Sequence, residues 1–261
     1  MPSIVLRAEP GDYPPTVLLP GDPGRAREVA RRFDGGLEGA TLLTDHRGLL
    51  GWRGSLRGTP LAVQTTGMGA PAMAMVAEEL LRVGVTTLIR IGTCGGLLRE
   101  MAAGDIVVVS AAAPYDGTTR RHVRGEPYVP LPNFELTAEL AQAAVDAGLR
   151  THVGPVATVD LLYDPDPDAA EHLRSLGLVA LEMESSILFY LAARATAAGR
   201  EVRAASILTV SDLIGPRGTD AIAFLPPNVL EQATGRMVEV ALSVVAPDVP
   251  GSSGDLTGRD R

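Results

Sequence analysis

Residues 88–96, Leu-Ile-Arg-Ile-Gly-Thr-Cys-Gly-Gly, place the tightest limit on how this chain can fold. A short apolar and β-branched run stops at three glycines, which predicts a buried strand that delivers a tight turn at its carboxyl end. Arg90 lies inside the run, and a buried guanidinium requires an anion or a carboxylate within reach. The segment therefore predicts either an anion site at the mouth of an α/β sheet, with glycines leaving room for a ligand, or a structural arginine paired with an internal glutamate.

The composition of the 261-residue chain narrows the class of protein. Its hydrophobic share of 46% and aromatic share of 4% are typical of a globular α/β protein. There is no apolar run of roughly 18 residues and no charged-then-apolar leader, so we expect neither a membrane span nor a secretion signal, and a cytoplasmic location is the default. The net charge of −8 argues against a nucleic-acid partner, because a phosphate backbone requires a basic face.

Residue types that are scarce exclude further chemistries. One cysteine rules out an intramolecular disulfide and argues against a cysteine-based zinc site. All 23 basic residues are arginine. The lack of lysine excludes Schiff-base lysine chemistry and a Walker-type phosphate-binding lysine.

Apolar periodicity, interrupted by glycine and proline, predicts an ordered series of strands and helices. Strands are predicted at 16–19, 41–44, 50–56, 61–64, from 88 to the glycines, and at 105–111, 151–159, 178–185 and 204–210. Helices are predicted at 25–33, 72–83, 136–147, 186–198 and 229–245, with another beginning after 164–168. The three strands between 41 and 64 should be antiparallel, and the helix at 72–83 predicts a β-α-β unit with a parallel pair of strands.

A glycine turn after the first strand is a second candidate anion site. The segment Gly21-Asp-Pro-Gly-Arg25 joins the strand at 16–19 to a helix. Free N–H groups and the positive end of the helix dipole would converge there, and Arg25 would add a full charge. The alternative is an ordinary turn, since Gly-Asp-Pro is common turn chemistry.

Two carboxylates flank Met183 where a strand is predicted to meet a helix. If the strand persists, Glu182 and Glu184 point the same way, and a carboxylate can accept both hydrogen bonds of a ribose diol. The alternative reading gives one glutamate to an ion pair with Arg90 and the other to the helix start.

Two polar segments complete the survey of the chain. The stretch 114–132, with Arg120, Arg121, His122 and Arg124, is either a lid over a site or a solvated loop. The tail 247–261, rich in Gly, Ser and Asp, is expected to be disordered.

Taken in order, five motifs resemble the nucleoside phosphorylase family, in particular its hexameric bacterial purine branch, to which uridine phosphorylases are related. The motifs are Gly21-Asp-Pro-Gly-Arg25, His46-Arg-Gly48, Arg90-Ile-Gly-Thr-Cys-Gly-Gly96, Glu182-Met-Glu-Ser185 and Ser211-Asp212. The resemblance extends from about residue 4 to residue 245. It implies one α/β catalytic domain over residues 1–246, with a mixed, largely parallel central sheet flanked by helices.

The resemblance also implies a role for each matching residue. The phosphate site would comprise Gly21, Arg25, Arg90, Thr93 and, from a neighbouring subunit, Arg47. The ribose would meet Glu182, Met183 and Glu184, with Glu184 holding the diol. The base would meet Cys94, Gly95, Leu162, Tyr163, Ser211 and Asp212. Asp212 is the candidate catalytic acid, and Arg217 is a candidate to assist it.

The implied reaction is phosphate-dependent cleavage of a purine nucleoside. Inorganic phosphate would be a co-substrate, and no metal or organic cofactor is expected. The implied assembly is a homo-oligomer, a hexamer built as a trimer of dimers. An aspartic acid has an ordinary pKa of about 3.9, so Asp212 would need a raised pKa or a proton delivered on substrate binding.

The chain departs from the family pattern at three positions. A histidine near the amino terminus, which the family donates across the dimer to the nucleoside 5′-hydroxyl, is matched by Val5. An aromatic residue near the base is replaced by Leu162, and the family's assisting arginine has no counterpart at 227–230. We hypothesise that Val5 weakens selection for a free 5′-hydroxyl and admits 5′-methylthio nucleosides.

Other functions stay open at this point. A uridine phosphorylase or a 5′-methylthioadenosine phosphorylase would share the phosphate arginines, although a uridine enzyme should carry a Gln and Arg pair that the loop after Val159 lacks. A hydrolytic nucleosidase would not need Arg25 and Arg47. A non-catalytic binding protein would show ligand-induced stabilisation without turnover.

Overall fold

The apolar and β-branched runs of the sequence form one nine-stranded sheet at the centre of the computed structural model, which describes residues 3–214 and 224–247. The strands are β1 (Thr16–Leu19), β2 (Thr41–Thr44), β3 (Gly51–Leu56), β4 (Thr59–Gln64), β5 (Thr87–Gly96), β6 (Ile106–Pro114), β7 (Thr151–Thr158), β8 (Ala180–Glu182) and β9 (Arg203–Leu213). Their order is β2-β3-β4-β1-β5-β8-β7-β6-β9. Because β9 also pairs with β5, the last five strands close into a ring.

The helices lie on both faces of this sheet. They are α1 (Pro23–Ala30), α2 (Gly36–Gly39), α3 (Ala70–Arg82), α4 (Gly117–His122), α5 (Phe134–Asp146), α6 (Ala169–Ser175), α7 (Ser185–Ala197) and α8 (Pro227–Val245). A short 3₁₀ turn, His46–Gly48, joins β2 to β3. Within the described ranges, no helix is long and apolar enough to cross a membrane.

The two largest of three hydrophobic clusters lie on opposite faces of the sheet, because side chains alternate along the strands. In β1, Val17 and Leu19 pack with α3 and α7, whereas Leu18 packs on the opposite face with α1, α5 and α8. Side chains of successive strand residues point to opposite faces, so a fully apolar strand must be covered on both. The predicted α/β fold, a mixed sheet flanked by helices, is confirmed.

Three parallel strands bring their carboxyl ends to one edge of the sheet. β1 pairs with β5 in parallel, and β5 pairs with β9 in parallel. β4 also runs parallel to β1, so the segments that follow β1, β4, β5 and β9 meet at this edge. The two strands around α3 run parallel, as a β-α-β unit predicts, but their expected direct pairing is wrong, because β1 lies between β4 and β5 and bonds to both.

The predicted tight turn at the glycines of residues 88–96 is also wrong. β5 continues to its last glycine, with Gly95 paired to Asp212 of β9 and to Leu181 of β8. The strand persists because neighbours on both sides accept and donate its backbone hydrogen bonds, and a register shift between Cys94 and Gly95 accommodates the bend.

Other boundaries differ from the sequence prediction. β8 ends at Glu182 and α7 begins at Ser185, so the strand does not persist through Glu184. The stretch 114–132 contains α4, whose start is capped by the Asp116 carboxylate accepting from the Thr119 N–H at 2.6 Å. Residues 248–261 of the predicted disordered tail lie outside the described residues.

Candidate active site

A cavity of about 690 Å³ lies where the parallel strands end. Its walls come from the segments after β1 and β4, the last residues of β5 and β9, and the junction of β8 with α7. Ligands of α/β sheets bind at the carboxyl ends of parallel strands, because loops and helix starts converge there. Its lining combines largely apolar side chains with a charged group around Arg25, Arg90 and Glu184, called the polar end.

Arg90 lies buried between two carboxylates. Its Nε is 3.0 Å from Glu182 Oε2 and its Nη2 is 2.5 Å from Glu184 Oε2, and only 3% of the residue is exposed. Burial by itself lowers the pKa of Arg90, but Glu184 and Glu182 outweigh this effect, so the pKa is raised and the guanidinium stays charged. The predicted pairing of Arg90 with an internal glutamate is therefore present, with two glutamates as partners.

Glu182 is saturated by hydrogen bonds from the protein. Besides Arg90, its carboxylate accepts from the Ser185 N–H and hydroxyl at 2.9 and 2.8 Å, from the Glu184 N–H at 3.0 Å and from the Thr158 hydroxyl. These partners tie the start of α7 to the guanidinium. Glu182 thus fixes Arg90 and the helix start, and its oxygens have no free lone pair for a sugar.

Glu184 faces the cavity with fewer partners. One oxygen pairs with Arg90, and the other accepts from the Gly69 N–H at 2.5 Å. Burial raises the pKa of Glu184, although Arg90 lowers it in part. The carboxylate therefore lies in the cavity wall with the correct chemistry for an adjacent pair of hydroxyls.

Gly92 makes the position of Arg90 possible. A Cβ atom built at Gly92 would lie 2.6 Å from Arg90 Cζ, which is closer than real Cβ contacts come. The guanidinium lies over the backbone of its own strand two residues along, a position that only glycine leaves open.

Arg25 brings a second guanidinium to the same end of the cavity. Its Nη1 donates to the Ile91 carbonyl at 3.2 Å. Burial lowers the pKa of Arg25, Asp22 raises it and the nearby Arg90 lowers it, with a net decrease. Two cations this close repel each other, and an anion between them would relieve that repulsion.

The start of α1 differs from the anion cradle expected there. The Asp22 carboxylate caps the helix by accepting from the Gly24 N–H at 2.9 Å and the Arg25 N–H at 3.3 Å. Those two N–H groups are already used, so this turn offers an anion the Arg25 side chain and the backbone at Gly21, which also lines the cavity. The two loops are close, since a Cβ at Gly21 would lie 3.0 Å from the Gly67 carbonyl oxygen.

Asp212 lines the cavity beside Gly95 and Ile214. The Ser211 hydroxyl donates to Asp212 Oδ1 at 2.6 Å and has the Cys94 carbonyl oxygen at 3.2 Å. Burial raises the pKa of Asp212, and the Ser211 hydrogen bond only partly opposes this. Burial also raises the pKa of the Cys94 thiol, which stays protonated. Burial thus shifts the pKa of Asp212 in the direction that a proton donor requires.

The cavity gathers most of the residues that the sequence singled out. Of the residues expected for phosphate and ribose, its lining includes Gly21, Arg25, Arg47, Arg90, Thr93, Glu182, Met183 and Glu184. Of those expected for the base, its lining includes Cys94, Gly95, Leu162, Ser211 and Asp212. Tyr163 is 73% exposed and does not line the cavity, and Arg217 lies outside the described residues.

The model of the phosphorylase superfamily matches residues 15–246. The chain belongs to the phosphorylase superfamily. It is 37% identical to the DeoD-type purine nucleoside phosphorylase of Roseobacter denitrificans. That alignment spans 241 residues and covers 92% of this chain and 97% of the relative. The Geobacillus kaustophilus protein of the same name is 38% identical over 92% of this chain and 96% of its own length. A third such protein, from Geobacillus sp., is 39% identical over 81% of this chain and 87% of its own.

Val5 contacts the 3₁₀ turn that carries Arg47. Arg47 occupies a left-handed backbone conformation (φ 59°) in the 3₁₀ turn and lines the cavity of its own chain. Val5 is fixed by its N–H, 2.9 Å from Glu79 Oε1, and by its carbonyl, 2.9 Å from His46 Nδ1. Val5 does not line this cavity, so the roles of Arg47 and Val5 across a subunit boundary stay predictions.

The arginines of the stretch 114–132 do not line the phosphorylase cavity. Arg120, Arg121 and Arg124 line a separate, open surface depression with Gly117 and Gly125. The stretch still contacts the cavity wall indirectly, because the Gly117 N–H donates to Asp160 at 2.8 Å, one residue before Leu161. Over the described residues, this geometry gives no support to a lid formed by these arginines.

Sequence reasoning missed several residues of the site. The Gly69 N–H binds Glu184, and Thr65 lines the cavity. Ile214 lies against Gly95, where a Cβ would be 2.8 Å from Ile214 Cδ1. A usable signal existed for the first two, because residues after a strand parallel to β1 and β5 must arrive at the same sheet edge. Ile214 follows Asp212 by two residues, but the sequence did not show that β9 continues to Leu213 and so places the next residue against Gly95.

Proposed function

We propose that this chain catalyses the phosphorolysis of purine nucleosides. The glycosidic bond between C1′ and the purine breaks, a bond between C1′ and an oxygen of orthophosphate forms, and the products are a free base and ribose 1-phosphate or deoxyribose 1-phosphate. One observation carries the proposal: Arg25 and Arg90, Glu184 and Asp212 face a single cavity of about 690 Å³.

The polar end of the cavity suits the phosphate and the sugar. Gly21, Arg25, Arg90 and Thr93 would bind orthophosphate, and Arg47 would complete the set. The phosphate anion lies beneath C1′, where it stabilises the positive charge that develops on the ribosyl group and supplies the nucleophilic oxygen. Arg90 starts in contact with Glu184, so the same pair links the phosphate site to the sugar site.

Glu184 would hold the ribose diol and Met183 would pack on the sugar. Glu182, which the resemblance also implies for ribose, serves in this proposal as the residue that positions Arg90 and α7, because its oxygens are saturated. This division gives each of the two carboxylates one task.

The base end of the cavity suits a leaving purine. Cys94, Gly95, Leu162 and Ser211 would surround the base, and Asp212 would donate a proton to N7 as negative charge gathers on the five-membered ring. Its raised pKa favours the protonated form that this step consumes. Arg217 stays a candidate assistant, and the exposure of Tyr163 gives no support for a base contact.

The proposal includes a setting for the enzyme. Orthophosphate is a co-substrate, no metal or organic cofactor takes part, and the location is cytoplasmic. The assembly is a homohexamer, a trimer of dimers, with Arg47 reaching a neighbouring site. A variant that stays monomeric should then stay folded and lose activity, measured by analytical ultracentrifugation and initial rates.

One assay tests the reaction itself. Release of free base from inosine, adenosine, 5′-methylthioadenosine and uridine is measured with and without orthophosphate. We expect purine release that depends on phosphate, with uridine the poorest substrate. Equal release without phosphate would identify a nucleosidase, and preference for uridine would identify the pyrimidine activity. Rejection of the methylthio compound would refute the hypothesis about Val5.

A further inference from the structure

Thr65 carries a buried hydroxyl with no hydrogen-bond partner. The residue follows β4 directly, lines the cavity and is 1% exposed. Among the described residues, its Oγ1 is the one buried side-chain oxygen or nitrogen atom without a partner. Buried polar groups are nearly always bonded, because an unmet hydroxyl loses its bonds to water and gains nothing in return.

The backbone around Thr65 is firmly held, so a loose loop does not explain the unmet hydroxyl. The Thr65 N–H donates to the Leu50 carbonyl at 2.9 Å, and the Gln64 Nε2 donates to the Thr65 carbonyl at 2.8 Å. Gln64 also donates to the Leu49 carbonyl at 3.2 Å and accepts from the Tyr13 hydroxyl. The side chain therefore starts from a fixed position in the cavity wall.

The path of the chain after β4 places Thr65 at the phosphate end of the cavity. The Thr66 N–H donates to the Pro20 carbonyl at 2.9 Å, and the Gly67 carbonyl lies against Gly21. Two residues later, the Gly69 N–H reaches Glu184. The segment thus runs from the Gly21 turn towards the sugar carboxylate, with Thr65 at its beginning.

We propose that the Thr65 hydroxyl donates a hydrogen bond to an oxygen of bound orthophosphate. The proposal rests on the proposed phosphorolysis and adds a residue to its phosphate site. A hydroxyl that donates to a charged oxygen forms a stronger bond than one between neutral groups, and Arg25 and Arg90 already draw an anion to this end. Bound orthophosphate thus supplies the hydrogen-bond partner that Thr65 Oγ1 lacks within the chain.

A purely structural role makes the opposite prediction. Valine has the shape of threonine without the hydroxyl, so Thr65→Val would remove an unmet polar group and leave both binding and catalysis unchanged. Thr66 provides the matched control, because its hydroxyl is already bonded to the Gly67 carbonyl at 2.9 Å and the residue does not line the cavity.

The test compares Thr65→Val, Thr65→Ser and Thr66→Val. Orthophosphate affinity is measured by calorimetry in the absence of nucleoside, and KM values for phosphate and for inosine are measured separately. For Thr65→Val we expect about a tenfold loss of phosphate affinity and the same rise in KM for phosphate. The KM for inosine should stay within about twofold, Thr65→Ser should restore phosphate binding, and thermal stability should not fall.

Three results would overturn the proposal: unchanged phosphate affinity in Thr65→Val, a rise in KM for inosine alone, or an equal loss of phosphate affinity in Thr66→Val. Failure of the phosphorolysis proposal would look different, because the unmodified protein would then release no base in response to phosphate. Calorimetry reports phosphate binding in either case.

Discussion

Buried carboxylates at the two ends of the cavity differ in how many hydrogen bonds they accept. At the phosphate and sugar end, Glu182 is bonded to Arg90 and to the start of α7, and every oxygen is used. At the base end, Asp212 has a single hydrogen bond, from Ser211, no ion pair among the described residues, and a raised pKa caused by burial. A carboxylate whose oxygens all accept hydrogen bonds keeps its neighbours in position, whereas a carboxylate with few hydrogen bonds can gain and lose a proton.

The largest effect is expected at the base end. Asp212→Asn removes the proton donor, so kcat should fall by about 10²- to 10⁴-fold, while the free energy of unfolding should not decrease because a buried charge is removed as well. Initial rates with inosine and urea denaturation test this. Asp164→Asn is the control, since Asp164 also lines the cavity, and an equal loss in both variants would contradict the assignment.

At the opposite end, Glu182→Gln should reduce stability. The amide would place N–H donors against the N–H groups of Glu184 and Ser185 and leave Arg90 with one carboxylate, so the free energy of unfolding should fall by about 3 kcal/mol. Glu78→Gln, which breaks the exposed pairs with Arg82 and Arg194, should cost under about 1 kcal/mol. Similar values for the two variants in urea denaturation would remove the contrast between the two ends.

Arg25→Gln separates binding from folding at the polar end. We expect the KM for phosphate to rise by about 10- to 100-fold, because a fork-shaped, charged donor is lost. Stability should change little, since Arg25 makes one hydrogen bond and is repelled by Arg90. Arg27→Gln, an exposed arginine of the same helix, should leave the KM unchanged. A rise only in the KM for nucleoside would move Arg25 out of the phosphate site.

A single methyl group tests how closely the polar end is packed. Gly92→Ala places a Cβ against the Arg90 guanidinium and should lower the free energy of unfolding by about 1–3 kcal/mol. Gly235→Ala lies in α8, where the nearest contact is an ordinary 3.5 Å, and should raise it by about 0.5–1 kcal/mol. Thermal denaturation of both variants tests this. A change in stability of the same sign in both would count against the close approach of the Arg90 guanidinium to Gly92.

The smallest effect is the pH dependence that Asp212 contributes. Because its folded pKa is raised above the unfolded value, its stabilising contribution is full below the unfolded pKa and is lost as pH rises through the folded pKa. Proton donation follows the same direction, so kcat should fall as pH rises through the raised pKa. In Asp212→Asn, the pH dependence of the free energy of unfolding and of kcat should both flatten between the unfolded and the folded pKa of Asp212. If kcat still falls with pH in the variant as in the wild type, another group causes that fall.

Much of the fold was predictable from local pattern. The strand Thr16–Leu19, the antiparallel strands from Thr41–Thr44 to Thr59–Gln64 and the helix Ala70–Arg82 follow from side-chain periodicity, which is set within each segment. The errors arose where a neighbour decided the outcome. β5 runs through its glycines because β8 and β9 flank it, and β4 and β5 are separated because β1 inserts between them.

The candidate site divides in the same way. Residue types and their order pointed to Arg25, Arg90, Glu184 and Asp212, because an anion, a diol and a leaving base each require particular groups. Their partners were less predictable. The sequence offered one glutamate to Arg90 and the other to the helix start, whereas Glu182 bonds to both Arg90 and the start of α7. That Asp22 caps α1 with its own carboxylate was not predicted.

The sequence by itself determined the classes of element and the chemical groups available to a site, since propensity, periodicity and side-chain chemistry belong to each segment. Only the tertiary structure decided which of those groups are consumed by the fold and which are left over for a ligand. That division depends on hydrogen bonds between residues far apart in the chain, such as Arg90 with Glu182, and on their absence at Thr65. In a buried site, a hydrogen bond made within the fold contributes to stability, and a polar group left without one can bind a ligand.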